Sequence, residues 1–312
     1  MNSDTFAHRF YRHLYRYALL SAGLCLAAIL GAALARAADE WTTTLGAQGV
    51  IGRYTSAQQR DALSGYGLAL SADYLEQGGF SLGLNHTTIN SKASAAGIRQ
   101  NALFASGRLH LTPDAMPGRF TLRLDMHAID NNDATRNTDS VFALAPQVAY
   151  LSFDKRRYYD LGYAHSTYQN SLLVNQFTPT VGFGLNEGAD WLQLRGWFIT
   201  PSNTSRAQGK NATRALEAKW THWTGTNLAG IDNIKASIVA GERIYAVEGD
   251  AGNVANLSDI HRGGASLGAE WKLGKTSTLL ALVGRDRFRN ADLAPANDYT
   301  LNYAYLWFSS QW

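Results

Sequence analysis

Cysteine is almost missing: Cys25 is the only one in 312 residues. It lies in an apolar N-terminal segment, behind Leu24 rather than the small residue of a lipoprotein site. If that segment is removed, the rest of the chain has no disulfide framework, no thiolate metal site and no thiol nucleophile. Export without cysteine suits a bacterial envelope protein better than a small disulfide-stapled secreted scaffold. Long apolar runs are also missing beyond residue 37, and none could span a bilayer as a helix. No apolar repeat at helical spacing stands out there either. An excess of one charge is lacking as well. Of 28 basic and 25 acidic residues, Arg9, Arg12, Arg16 and Arg36 and the single acid Asp4 fall within 1–37, which leaves 24 of each behind. Without a clustered basic surface, nucleic-acid binding loses its support, and no nucleic-acid partner is expected.

What is present begins with an export signal. Three arginines precede an apolar stretch, Ala18 to Leu34, which closes on Ala35-Arg36-Ala37. This small-x-small pattern predicts a cleaved signal peptide over 1–37 and a mature chain over 38–312. A membrane helix competes, because the stretch is near the spanning minimum. The polar, strand-like chain behind it favours cleavage.

That chain alternates with period two. Phe120, Leu122, Leu124, Met126 and Ala128 fall on one face of a strand, and Arg119, Thr121, Arg123, Asp125 and His127 on the other. The same pattern recurs over 174–185, 189–200, 213–223 and 263–273. Fourteen strands are predicted, near 41–54, 64–76, 79–90, 98–111, 118–129, 141–153, 157–168, 174–185, 189–200, 213–223, 232–246, 263–273, 276–288 and 298–312, with twelve to sixteen tolerated.

A soluble sandwich alternates too, but connection lengths separate the two. Tight links such as Gln77-Gly78-Gly79 and Gly274-Lys275 alternate with long polar ones such as Asp130 to Ser140 and Val247 to Arg262. Short turns at one end and longer loops at the other are the pattern of an all-β transmembrane antiparallel up-and-down barrel. An even count puts both termini in the periplasm. Aromatics fall near strand ends: Trp41, Tyr74, Phe153, Tyr159, Trp191, Trp223, Trp271 and Trp312 at one rim, and Tyr66, Phe142, Tyr168, Phe198, Tyr245 and Phe288 at the other.

The sequence stops on Leu306-Trp307-Phe308-Ser309-Ser310-Gln311-Trp312. This resembles the C-terminal assembly signal of bacterial outer-membrane β-barrel proteins, with Ser310 standing where a larger residue is usual. The resemblance implies an outer-membrane location, a lipid surround, and recognition of the strand ending at Trp312 by the barrel-assembly machinery. The general likeness is porin-like. Val239-Ala240-Gly241-Glu242-Arg243 resembles YaiO-like barrels, linked to exopolysaccharide export.

With apolar faces toward lipid, the lumen is expected to hold Arg108, His110, Arg119, Arg123, Asp125, His127, Arg195, Glu217, Lys219, Lys235, Arg243, Glu270 and Lys272. Basic groups outnumber acidic ones in that set. Arg108, His110, Arg123, Asp125, His127, Arg195, Lys219 and Arg243 are the candidate solute-binding residues, in a field favouring anionic or saccharide-like solutes. Such side chains equally serve to brace a barrel interior. Tyr303, Tyr305 and Trp307, on the non-lipid face of the last strand, could stack on sugars or merely fill space.

An outer-membrane lipid hydrolase would need a histidine and a hydroxyl side by side on a strand near the outer leaflet. His165 and Ser166 are adjacent and point to opposite faces, and Thr167 stands where the serine belongs. His86 and Thr88 repeat that spacing. A third reading is a non-conducting accessory barrel in envelope export. The oxygen-rich loops Asp130 to Asp139 and Glu248, Asp250, Asn253 and Asp259 lack a calcium-loop pattern and read as solvated outer loops. No metal or other cofactor is expected. The leading expectation is a channel for small hydrophilic solutes.

Overall fold

The computed structural model describes residues 40–75, 77–92, 97–228 and 230–312. The signal peptide expected over 1–37, with Cys25, lies outside the described residues. The strands in chain order are β1 (Trp41–Thr55), β2 (Arg60–Tyr74), β3 (Gly78–Ser91), β4 (Ile98–Leu111), β5 (Gly118–Asn131), β6 (Val141–Ser152), β7 (Arg157–Thr167) and β8 (Leu173–Leu185). They continue with β9 (Asp190–Pro201), β10 (Thr213–Leu228), β11 (Ile231–Arg243), the two-residue β12 (Val247–Glu248) and β13 (Asn253–Val254), β14 (Ile260–Leu273), β15 (Ser277–Asn290) and β16 (Asn297–Gln311). All but β12 and β13 form one closed antiparallel barrel of fourteen strands, in which β1 pairs with β16. Closure pairs the first strand with the last, so that among the described residues the barrel presents no free sheet edge to the bilayer.

The alternation seen in the sequence is the alternation of faces. On β5, Leu122, Leu124 and Met126 are each 43% exposed, whereas Asp125 and His127 between them are 2% and 3% exposed. Ile51, Leu84, Val283 and Ile238 are among the most exposed large apolar side chains of the barrel. Large apolar groups outside and charged groups buried inside invert the order of a water-soluble protein, and the outer surface is the lipid-facing one.

Strand ends depart from expectation where register shifts. β2 starts at Arg60, with a shift between Arg60 and Ala62, and β14 starts at Ile260, with a shift between His261 and Gly264. A bulge reverses which residues face inward, so period two stops marking the strand before the ladder ends.

Candidate functional site

The link between β11 and β14 turns into the barrel. Ile244, Tyr245, Ala246 and Val247 are all at most 4% exposed, as are Val254 and Asn256. They pack with Trp197 and Ile199 of β9, Val174 of β8, Ile129 of β5, Val141 of β6, and Tyr168 and Leu172 from the β7–β8 link. The result is a water-soluble type of core inside a membrane barrel. The sequence placed Tyr168, Tyr245 and Phe288 at a lipid interface. Instead Tyr245 meets Tyr168 at 4.9 Å within this core, and Phe288 stacks on Tyr299 at 5.4 Å.

Hydrogen bonds fix the segment at both flanks. The Gln176 side-chain amide donates to the Val247 carbonyl at 2.8 Å and its oxygen accepts from the Val247 N–H at 2.9 Å. Tyr245 donates to the Arg206 carbonyl at 2.6 Å, and Asn256 to the Thr138 carbonyl at 2.8 Å. On the return limb Arg60 pairs with the buried Asp259. Each of these closes a backbone or side-chain group that burial would otherwise leave unpaired.

The tip, residues 248–252, crosses to the opposite walls. Arg243 holds Glu248 at 2.9 Å, and Asp250 sits between Arg195 at 2.9 Å and Lys219 at 3.0 Å. From β5, Arg123 donates to the Gly249 carbonyl at 2.8 Å while its Nε holds Asp125 at 2.7 Å. Gly252 has φ +59, and a Cβ there would stand 3.1 Å from the Phe104 ring. A left-handed turn pressed against an aromatic face calls for glycine. Burial alone would raise the carboxyl of Asp250, but Lys219 and Arg195 outweigh it and hold it well below the usual carboxylate range. Glu248 is likewise lowered, with Arg243 and Lys219 overcoming its desolvation.

These contacts correct two expectations. Glu248, Asp250 and Asp259 do not lie on a solvated outer loop; they are acceptors inside the barrel. Nor do basic groups dominate the lumen, because Asp125, Glu217, Glu248 and Asp250 neutralise Arg123, Arg195, Lys219 and Arg243 where the tip crosses. Arg108 makes a double hydrogen bond to Asp73 at 2.8 and 2.6 Å, His110 meets Thr121 at 3.0 Å, and His127 is buried against the Phe104 ring. Lys235 pairs with Glu270 and Lys272 with Asp232. Arg119 is also engaged. Missed from sequence were Phe104, Gln176 and Trp197, which receive the segment. The apolar run from Ile244 to Val247, breaking the alternation, was the available signal.

Beneath the tip, in the half of the barrel that carries Thr44 and Trp307, lies a cavity of about 470 Å³. Small residues on β2, β3 and β4 (Ala69, Ser71, Ser81, Gly83 and Ser106) leave the room. Gln48, Asn85, Arg108, Arg123, Gln147 and Tyr158 supply polar groups, with Tyr305 and Trp307 alongside. Tyr305 donates to Gln48 at 2.7 Å. At His165 the hydrolase geometry is not assembled: His165 bonds Asn175 at 2.8 Å on the outer face, Thr167 bonds the Phe142 carbonyl, and Ser166 is buried on the inner face. His86 instead lies with its Nε2 3.4 Å from the Thr88 hydroxyl and its Nδ1 2.8 Å from the Asn101 side-chain oxygen, with threonine in place of serine. Loop 130–139 is bonded to itself, with Asp133 accepting from Thr135 and Thr138.

No protein-family model and no curated protein matches the sequence. Solved structures of similar shape include the Pseudomonas putida toluene transporter TodX, at 10% identity over 87% of this chain and 89% of that one, with a TM-score of 0.51. The Acinetobacter baumannii outer membrane protein Omp33 gives 6% identity over 87% and 99%, and a TM-score of 0.44. Pseudomonas aeruginosa OccK7 gives 10% over 88% and 99%, and 0.43. At such identities the likeness is one of fold. The closed fourteen-strand wall, apolar outside and polar within, is the architecture of an outer-membrane β-barrel.

Proposed function

We propose that the chain is a passive outer-membrane channel for small hydrophilic solutes, narrowed by the segment 244–259, with both ends of the barrel chain in the periplasm. The observation that carries this reading is the ionic tie of Asp250 to Arg195 and Lys219 across a polar lumen. A barrel of this strand number is wide enough to leave a lumen unless something fills it, and here a segment that is apolar over 244–247 and ionic at its tip fills part of it above a cavity of about 470 Å³. The resemblance of fold to a toluene transporter is compatible with passage, but the lining here is polar. Charge balance at the tip supports weak discrimination between anions and cations rather than the anion preference expected from the strands alone. Among the candidate residues, Arg108 and Arg123 border the cavity and are the ones a passing solute would meet. Arg195, Lys219 and Arg243 act by holding the narrowing segment.

Planar-bilayer recording tests this. The wild type gives small, discrete conductance steps, and Asp250→Ala, which frees the tip, gives larger ones by about two- to fivefold. A folded barrel that never conducts, with or without that substitution, overturns the channel and leaves an accessory barrel.

A further inference from the structure

The outer face of β15 reads Leu279, Ala281, Val283, Arg285, Arg287, Arg289. The first three belong to the apolar belt, and Val283 is 60% exposed. Three arginines follow at alternate positions, about 7 Å apart by strand rise. Arg285 and Arg287 are exposed and Arg289 half-buried. Among the described residues, no hydrogen bond or ion pair reaches any of the three. By contrast, Arg108, Arg123, Arg195 and Arg243 inside the barrel all hold carboxylates.

The row widens across the sheet. Arg285 stands opposite Asn302 of β16, and Asn302 opposite Arg53 of β1. Arg53 has an 81% exposed side chain, and Asp61 is 3.9 Å from it. The carboxylate beside Arg289, Asp298, is taken by Arg262 at 3.2 Å. Directly below the row, Val283, Ala304, Leu306 and Phe308 present an apolar surface.

Height places this row at the edge of the hydrocarbon. Arg285 is eight residues into β15, which at ~3.3 Å per residue and a tilt of ~40° is roughly 20 Å up the barrel, and Arg289 is roughly 30 Å up, against an apolar belt of ~25 Å. Free guanidiniums there face a layer of headgroups. A guanidinium fork matches a phosphate with paired, charge-assisted hydrogen bonds. An amide such as Asn302 suits a sugar hydroxyl, and the apolar strip below suits acyl chains.

We infer that Arg285, Arg287 and Arg289, flanked by Arg53 and Asn302, bind the phosphorylated headgroup of an outer-leaflet glycolipid. This rests on the orientation proposed above, with the long links outward, but not on conduction. The acyl-accepting strip under the charges selects a lipid rather than a free anion.

Native mass spectrometry of the detergent-solubilised barrel tests the assignment, using diphosphorylated lipid A as the probe. The wild type retains one lipid saturably, and the triple variant R285A/R287A/R289A binds about 100-fold more weakly. Phosphate-free lipid A of the same acylation binds the wild type as weakly as the variant binds the phosphorylated form. Arg99→Ala and Arg214→Ala, which alter solitary outer-face arginines, leave binding unchanged. Should the triple variant fail to fold, Arg287→Gln alone lowers affinity about fivefold. Equal binding by wild type and variant overturns the site, as does equal loss with Arg99→Ala. Effective competition by inorganic phosphate, or equal binding of phosphatidylglycerol, overturns the glycolipid assignment.

Discussion

The two halves of the lumen are built on opposite principles. In the half with the long links, Trp197, Ile199, Tyr168 and the segment 244–247 form a buried, largely apolar core, and Arg195 and Arg243 beside it are paired with Glu217 and Glu248. In the other half, glycine, alanine and serine on β2 to β4 leave a polar cavity with Gln48, Asn85 and Tyr158 at its wall. Strand number alone therefore does not set the free cross-section. One half is narrowed by an inserted segment, and the other is widened by small side chains. Stability and permeability should accordingly respond to substitutions in different halves.

Trp197→Ala should have the largest effect. Trp197 is 1% exposed and lies under the Arg243 guanidinium at 4.7 Å, and its loss should cost about 3–5 kcal/mol in urea unfolding from micelles. Trp307→Ala, at the cavity wall, should cost under about 2 kcal/mol. Comparable losses at the two positions would erase the distinction between the halves.

Acid should act next, and late. Because Asp250 and Glu248 titrate below the ordinary carboxylate range, their contribution is complete above the unfolded value of ~4 and is lost only as pH falls from there toward their lowered folded values. Conductance should thus be flat from pH 7 to about 5, with any enlargement of the steps confined to more acid solution. A titration centred near neutrality would mean that other groups hold the segment. The smallest effect belongs to Tyr305→Phe, which removes one half-buried hydrogen bond to Gln48. It should cost about 1 kcal/mol and leave the unit conductance within error.

The wall of this barrel was legible in the sequence because its two solvents, lipid and lumen, alternate residue by residue. Leu122 to Met126 against Arg123 and Asp125 is enough to fix a strand and its facing. The filling of the lumen was not legible in the same way. Glu248 and Asp250, on either side of Gly249, have the composition of a solvated loop, and their partners Arg243, Lys219 and Arg195 on β11, β10 and β9 are met only because the link folds back into the barrel. Tyr245 looked interfacial because an amphipathic ring suits a rim as well as a core. Only the consecutive apolar residues Ile244 to Val247 contradicted a free loop, and a period-two reading absorbs them as the end of a strand. The charge bias failed for the same reason: counting the strands' arginines omits the acids that the link carries inward.

The placement of the tip is the centre of this account, and the scarcity of cysteine makes it directly testable, since Cys25 is the only native one. A chain starting at residue 38 and carrying Phe104→Cys with Gly252→Cys puts two thiols where the Gly252 position and the Phe104 side chain are in contact. Mild oxidation should form the disulfide in most folded barrels, although a cysteine at the left-handed Gly252 position costs about 1–2 kcal/mol, and leave the unit conductance unchanged, because it locks the segment where it already rests. Free thiols that react instead with a bulky maleimide added from the long-link side would show that the segment lies outside the lumen.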